Sequence, residues 1–119
     1  MSRDDWSLAF YIDEHGDSPV EELLDGLDTA TRTIVQWSME QLRVRNVLAR
    51  EPLVRHLADD LWELRVESRG NAYRVIYFFL TGRHIIFLHG FLKKTQRTPR
   101  REMEMAQRRY RRFLAESRQ

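Results

Sequence analysis

A chain of 119 residues, 42% hydrophobic and 32% charged, carries enough apolar material for one domain with a buried core and has no length to spare for a regulatory module. It has no cysteine, which excludes a disulfide framework, thiolate catalysis and cysteine-ligated zinc, and no run approaches the roughly 18 apolar residues of a membrane span. The net charge of +2 hides an asymmetry: residues 1–28 hold nine acids against Arg3, and residues 93–112 hold nine bases against Glu102 and Glu104, a polarity that favours a polyanionic partner at one end.

Trp6 to Tyr11 alternates loosely and predicts a first strand, closed by the turn-prone Asp13-Glu14-His15-Gly16-Asp17. Ser18-Pro19 opens a short helix through Leu24, ended by Gly26. A second helix starts near Asp28 or Thr29 and carries Ile34, Val35, Trp37, Met39, Leu42, Val47 and Leu48 to about Ala49, before Pro52. These two are expected to form a helical hairpin. From Leu61 the period becomes two, with strands predicted over 61–67, 72–80 and 84–92, joined by turns at Arg69-Gly70-Asn71 and Thr81-Gly82-Arg83. The continuous apolar runs 75–79 and 85–88 predict a sheet covered on both faces. Thr98-Pro99 then caps a terminal helix that packs through Met103, Ala106, Tyr110 and Phe113 and turns its arginines outward.

Chemistry concentrates in Leu61-Trp62-Glu63-Leu64-Arg65, Tyr73-Arg74-Val75, and His89-Gly90-Phe91-Leu92-Lys93-Lys94-Thr95-Gln96-Arg97-Thr98-Pro99. Trp62, Leu64 and Val66 share one strand face, so Glu63 and Arg65 share the other. A mid-strand arginine is costly to bury alone, and Arg65 is either paired with Glu63 or Glu67 or held for a ligand. Arg74 allows the same two readings. Only two of the 20 basic residues are lysines, and guanidinium is the better fork for phosphate. The carboxylates show no metal-ligand spacing and no H-x-x-x-H pair is present, so neither a metal nor another cofactor is expected.

The segment from Leu61 to about Ala106 closely resembles the phage-derived HigB-like branch of the RelE/ParE toxin superfamily, in which W-E-L-R is followed by Y-R-V-x-Y and L-H-G-F-x-K-K-T-Q-x-T-P. The resemblance implies a RelE-like α+β fold over residues 1–119: an N-terminal helical hairpin on one face of a twisted, mainly antiparallel sheet, a concave basic surface on the other, and a C-terminal helix. It implies a cytoplasmic toxin of a type II toxin-antitoxin system, a metal-independent endoribonuclease that cuts messenger RNA on the ribosome by attack of the ribose 2′-OH on the adjacent phosphate. Arg65 and Arg74 would clamp that phosphate, with Lys93 and His89 as further catalytic candidates, and Lys94, Arg97, Tyr73, Arg100 and Arg101 would bind RNA. His89 reads equally as a histidine satisfied in packing, and Tyr73 as core. The implied partners are a small helix-turn-helix antitoxin of the HigA kind, messenger RNA and the ribosome. A gyrase-binding inhibitor and a non-toxic nucleic-acid-binding module are the competing readings.

Overall fold

The computed structural model describes residues 5–117. The period-two segments become strands, and among the described residues five strands form one mixed sheet in the order β1-β5-β4-β3-β2. These are β1 (Ser7–Phe10), β2 (Val54–Ala58), β3 (Leu61–Ser68), β4 (Asn71–Leu80) and β5 (His84–Lys93). β2 to β5 run as an antiparallel meander, whereas β1 lies parallel to β5, with Ser7 opposite His84 and Phe10 opposite Phe87. The β3–β4 turn needs only Arg69 and Gly70, both at positive φ (54° and 80°), the pairing that matches the twist of a two-residue hairpin. β2 has no counterpart among the predicted elements, because five residues with charged Arg55 and His56 in the middle give almost no alternation.

The helices are α1 (Pro19–Asp25), α2 (Thr29–Arg45) and α3 (Arg100–Ser117). Asp28 caps α2, its carboxylate accepting from the Thr31 amide at 3.2 Å. The helix stops short of the expected Ala49, because Asn46 takes a left-handed φ of 42° and a 3-10 turn, Asn46–Leu48, follows. The first strand comes where it is predicted, but the helical hairpin after it is not clearly shown: α1 and α2 each rest on the sheet, on β5 and β3 respectively, more than on each other. Gly90 makes the α1 seat: a Cβ there would meet Leu23 Cδ2 at 2.5 Å.

Two cores result, one on each face of the sheet. Val20, Leu24, Val35, Met39 and Leu42 of α1 and α2 cover Leu64, Val75, Tyr77, Ile85 and Phe87. On the other face Met103, Ala106, Tyr110 and Phe113 of α3 cover Ile76, Phe78, Ile86 and Leu88, which corrects the expectation that this side is an open basic concavity. The strand-borne basic residues lie at the end of this face that α3 leaves uncovered. The arginines of α3 do not all face out either. Arg109 donates to the Leu88 carbonyl at 2.9 Å, and Arg112 donates to the Tyr11 hydroxyl at 2.8 Å and lies 3.6 Å from Glu14. No described helix is long and apolar enough to cross a membrane.

Candidate nucleic-acid interface

Strand register gathers the charged residues. Arg55 of β2 is opposite Glu63 of β3, Arg65 of β3 is opposite Arg74 of β4, and Arg74 is opposite Phe91 of β5. All of these side chains belong to the α3 face, since Trp62, Leu64 and Val66 fill the core under α2. A bulge then recruits Lys93. Tyr77 pairs with Phe87 and Ile76 with His89, so Leu88 is an extra residue, and every β5 side chain beyond it is turned to the opposite face from the one simple alternation gives. Lys93, opposite Ala72, thereby joins Arg65 and Arg74.

Four cations, Arg55, Arg65, Arg74 and Lys93, thus surround one carboxylate, Glu63. Like charges directly across a strand pair destabilise it, so Arg65 beside Arg74 is a local cost that the fold bears. Glu63, 1% exposed, offsets part of it. Its Oε1 lies 3.7 Å from Arg74 Nε, and its Oε2 accepts the Thr98 hydroxyl at 2.9 Å. Thr98 therefore ties the segment before α3 to the cluster instead of capping the helix. Arg74 is itself only 4% exposed; its Nη1 donates to its neighbour Tyr73's carbonyl at 2.9 Å, and its Nε is buried with no hydrogen bond. Burial foremost, opposed by the attraction of Glu63, pushes the Arg74 pKa down. Lys93 is pushed the same way, first by burial and then by the charge of Arg74.

With Glu63 turned to Arg74, Arg65 takes neither of the ion pairs, to Glu63 or Glu67, that one of its two readings allowed. Half-buried Arg65 makes no ion pair and no side-chain hydrogen bond among the described residues. Two grooves flank the cluster, and Arg65 lines the first. One of about 520 Å³ runs between α2 and the β3 edge, where β2 ends, and is lined by Trp37, Arg45, Arg65 and Arg74. The other, about 380 Å³, is lined by Arg55, Glu63, Lys93, Gln96, Arg97 and Thr98. The Arg74–Glu63 pair joins them, one partner in each.

The remaining candidates divide. Arg97 lines the second groove and Lys94 is exposed just after β5. Arg100 and Arg101 are exposed on the first turn of α3, the former 2.9 Å from Glu104 and the latter 3.7 Å from Glu102. Tyr73 does not join the cluster: alternation sends its ring into the core under α1 and α2. His89 is on the α3 face, but both its nitrogens are engaged, Nε2 with Glu102 at 2.7 Å and Nδ1 with Arg109 at 2.9 Å. A guanidinium can only donate, so Nδ1 must accept and Nε2 carries the proton to Glu102. The ring has no nitrogen left for a substrate, and burial pushes its pKa below the ordinary 6.5. Sequence reasoning missed Arg55, which sits on the unpredicted β2, and the roles of Glu63 and Thr98. The W-E-L-R glutamate was the available signal, since it shares the Arg65 face.

This arrangement of a five-strand mixed sheet, helical covers on both faces and a strand-borne guanidinium cluster is that of a small α+β protein. Residues 22–111 match the model of the Phage derived protein Gp49-like (DUF891) family, and the chain belongs to that family, which lies within the RelE/ParE-like toxin superfamily. No curated protein matches the chain.

Proposed function

We propose that the protein is the toxin of a type II toxin-antitoxin system, of the HigB-like branch, and that it is a cytoplasmic, metal-independent endoribonuclease acting on messenger RNA in the ribosome. The observation that carries this reading is Arg65, a partly buried guanidinium left without a counter-ion inside a cluster of four cations. Unpaired, desolvated positive charge is expensive, and a transferring phosphate is the ligand that repays it. In the proposed reaction the ribose 2′-OH gives its proton to a base and its oxygen bonds to phosphorus as the bond to the 5′-oxygen breaks, leaving a 2′,3′-cyclic phosphate and a 5′-OH. Arg65 donates to the non-bridging oxygens, where charge grows in the phosphorane. Lys93, whose proton is loosened by burial and by Arg74, is the candidate to protonate the leaving 5′-oxygen. Buried Arg74 acts through Glu63 and through its field, not by touching substrate. His89 takes a positioning role, holding α3 to the sheet. Arg55, Lys94, Arg97, Arg100 and Arg101 supply backbone contacts, and a helix-turn-helix antitoxin of the HigA kind is the proposed inhibitor.

The test is to induce the protein alone and map messenger RNA 5′ ends. We expect cuts clustered by codon frame, and a loss of about 100-fold in cleavage with Arg65→Ala, the size of one lost oxyanion donor. Intact RNA with DNA damage would transfer the reading to a gyrase inhibitor. An Arg65→Ala protein as active as wild type would remove Arg65 from the site.

A further inference from the structure

Among the described residues the exposed large hydrophobic side chains concentrate in one place: Ile34, Trp37, Val44, Val47 and Leu48 all lie on α2 or the turn that ends it, with Trp37 60% and Leu48 73% exposed. On α2 the apolar Ile34, Trp37 and Val44, with Gln41 among them, follow spacings of three, four and three and so share one stripe along the helix, and Leu48 lies in the 3-10 turn beyond its end. The stripe faces away from Thr31, Val35, Met39 and Leu42, which are buried. A helix that covers a sheet needs one apolar stripe; α2 has two. Beside the second runs the 520 Å³ groove, whose walls include Arg45 and Arg65, neither in an ion pair among the described residues, against one acid, Glu67.

We infer that this stripe and groove form a docking surface for an acidic amphipathic helix of a partner protein. The alternating spacing is the one that receives a helix, through apolar knobs at heptad positions. The two unpaired guanidiniums on the rim call for carboxylates on the flanks of that helix. A nucleic acid fits less well, because Ile34, Val44 and Leu48 offer no ring face for a base to stack on. A second copy of this chain fits less well too, since a symmetric pairing through this face sets one basic rim against the other. Because Arg65 lines the groove, the docked helix covers it. That consequence for RNA cutting rests on the function proposed above, whereas the docking does not.

The test uses the full chain, without RNA, so its outcome is independent of whether the protein cuts RNA. The probe is a labelled helical peptide with leucines at heptad a and d positions and glutamates on both flanks, beside a twin with lysines for glutamates and a scrambled control. Fluorescence anisotropy should show saturable binding of the glutamate peptide alone, weakened about tenfold by Trp37→Ser and by Arg45→Glu, both surface changes whose folding circular dichroism verifies. The inference is overturned if the peptides bind alike or not at all, or if Trp37→Ser leaves binding unchanged. It is equally overturned if light scattering finds a dimer that Trp37→Ser dissolves, or if a single-stranded RNA occupies the stripe with Trp37-dependent affinity.

Discussion

Arg74 and Arg65 lie directly opposite each other on neighbouring strands, yet one carboxylate separates their fates. The sequence offers Glu63 as a partner for Arg65, its neighbour but one; the sheet gives it to Arg74 across the strand pair. The strand face of Arg65 was legible from alternation, but neither the arrival of Arg74 in the same cleft nor the ion pairing was, because both depend on register and side-chain reach between strands. Glu63 and Arg74 are both buried, so removing either leaves a lone charge in the interior. Glu63→Ala should cost about 3–5 kcal/mol in urea unfolding, while the double change Glu63→Leu with Arg74→Met should recover most of that loss. If the double variant is no more stable than the single, the pair is not a coupled unit. This distinguishes Arg74, needed for stability, from Arg65, whose loss should leave the melt nearly unchanged.

At the level of elements, α3 was legible in its packing face and illegible in its polar contacts. Met103, Ala106, Tyr110 and Phe113 pack as their spacing requires, but nothing in a linear pattern reveals that Arg109 and Glu102 clamp His89 between them. The β5 bulge was hidden for the same reason: one extra residue reverses the faces beyond Leu88, and no composition marks it. The clamp makes the α3 attachment sensitive to acid. Burial, partly countered by the hydrogen bond to Glu102, puts the folded His89 pKa below 6.5. The unfolded chain therefore takes up the proton first. The contribution of the clamp is complete above the unfolded value and is lost as pH falls through 6.5 towards the folded one. Denaturant unfolding from pH 7 down to 5 should show stability falling with pH, by at most about 1.4 kcal/mol per unit for one proton. His89→Gln should flatten that slope; an unaltered slope would show that other groups set it.

Across the whole molecule the acidic start and the basic end are not two independent poles. Asp13 and Glu14 lie beside Arg108, Arg109, Arg111 and Arg112, so part of the terminal charge is neutralised within the fold. Net charge read along the chain overstates what α3 offers to a polyanion. RNA binding should depend on salt, with a log–log slope of about 0.7 per phosphate contact on a single strand. Replacing Arg100 and Arg101 by glutamine should each reduce that slope by about this amount, whereas Arg112→Gln, which releases Tyr11 and Glu14, should leave the slope nearly unchanged and lower the melting temperature. Filter binding over a salt series reads the slopes.

The parallel seating of β1 against β5 also sets an order of events in time. The meander from β2 to β5 closes through local turns, but Ser7 must find His84, 77 residues further along, to complete the sheet. Such a distant closure is slow relative to a hairpin, and it cannot begin on the ribosome until β5 has emerged. Arg55, Arg65, Arg74 and Lys93 all sit on the locally closing strands, so the cationic cluster is assembled before the first strand docks. The topology therefore predicts that β1 docks last, and pulse-labelling hydrogen exchange during refolding should show the β3 and β4 amides protected before those of β1.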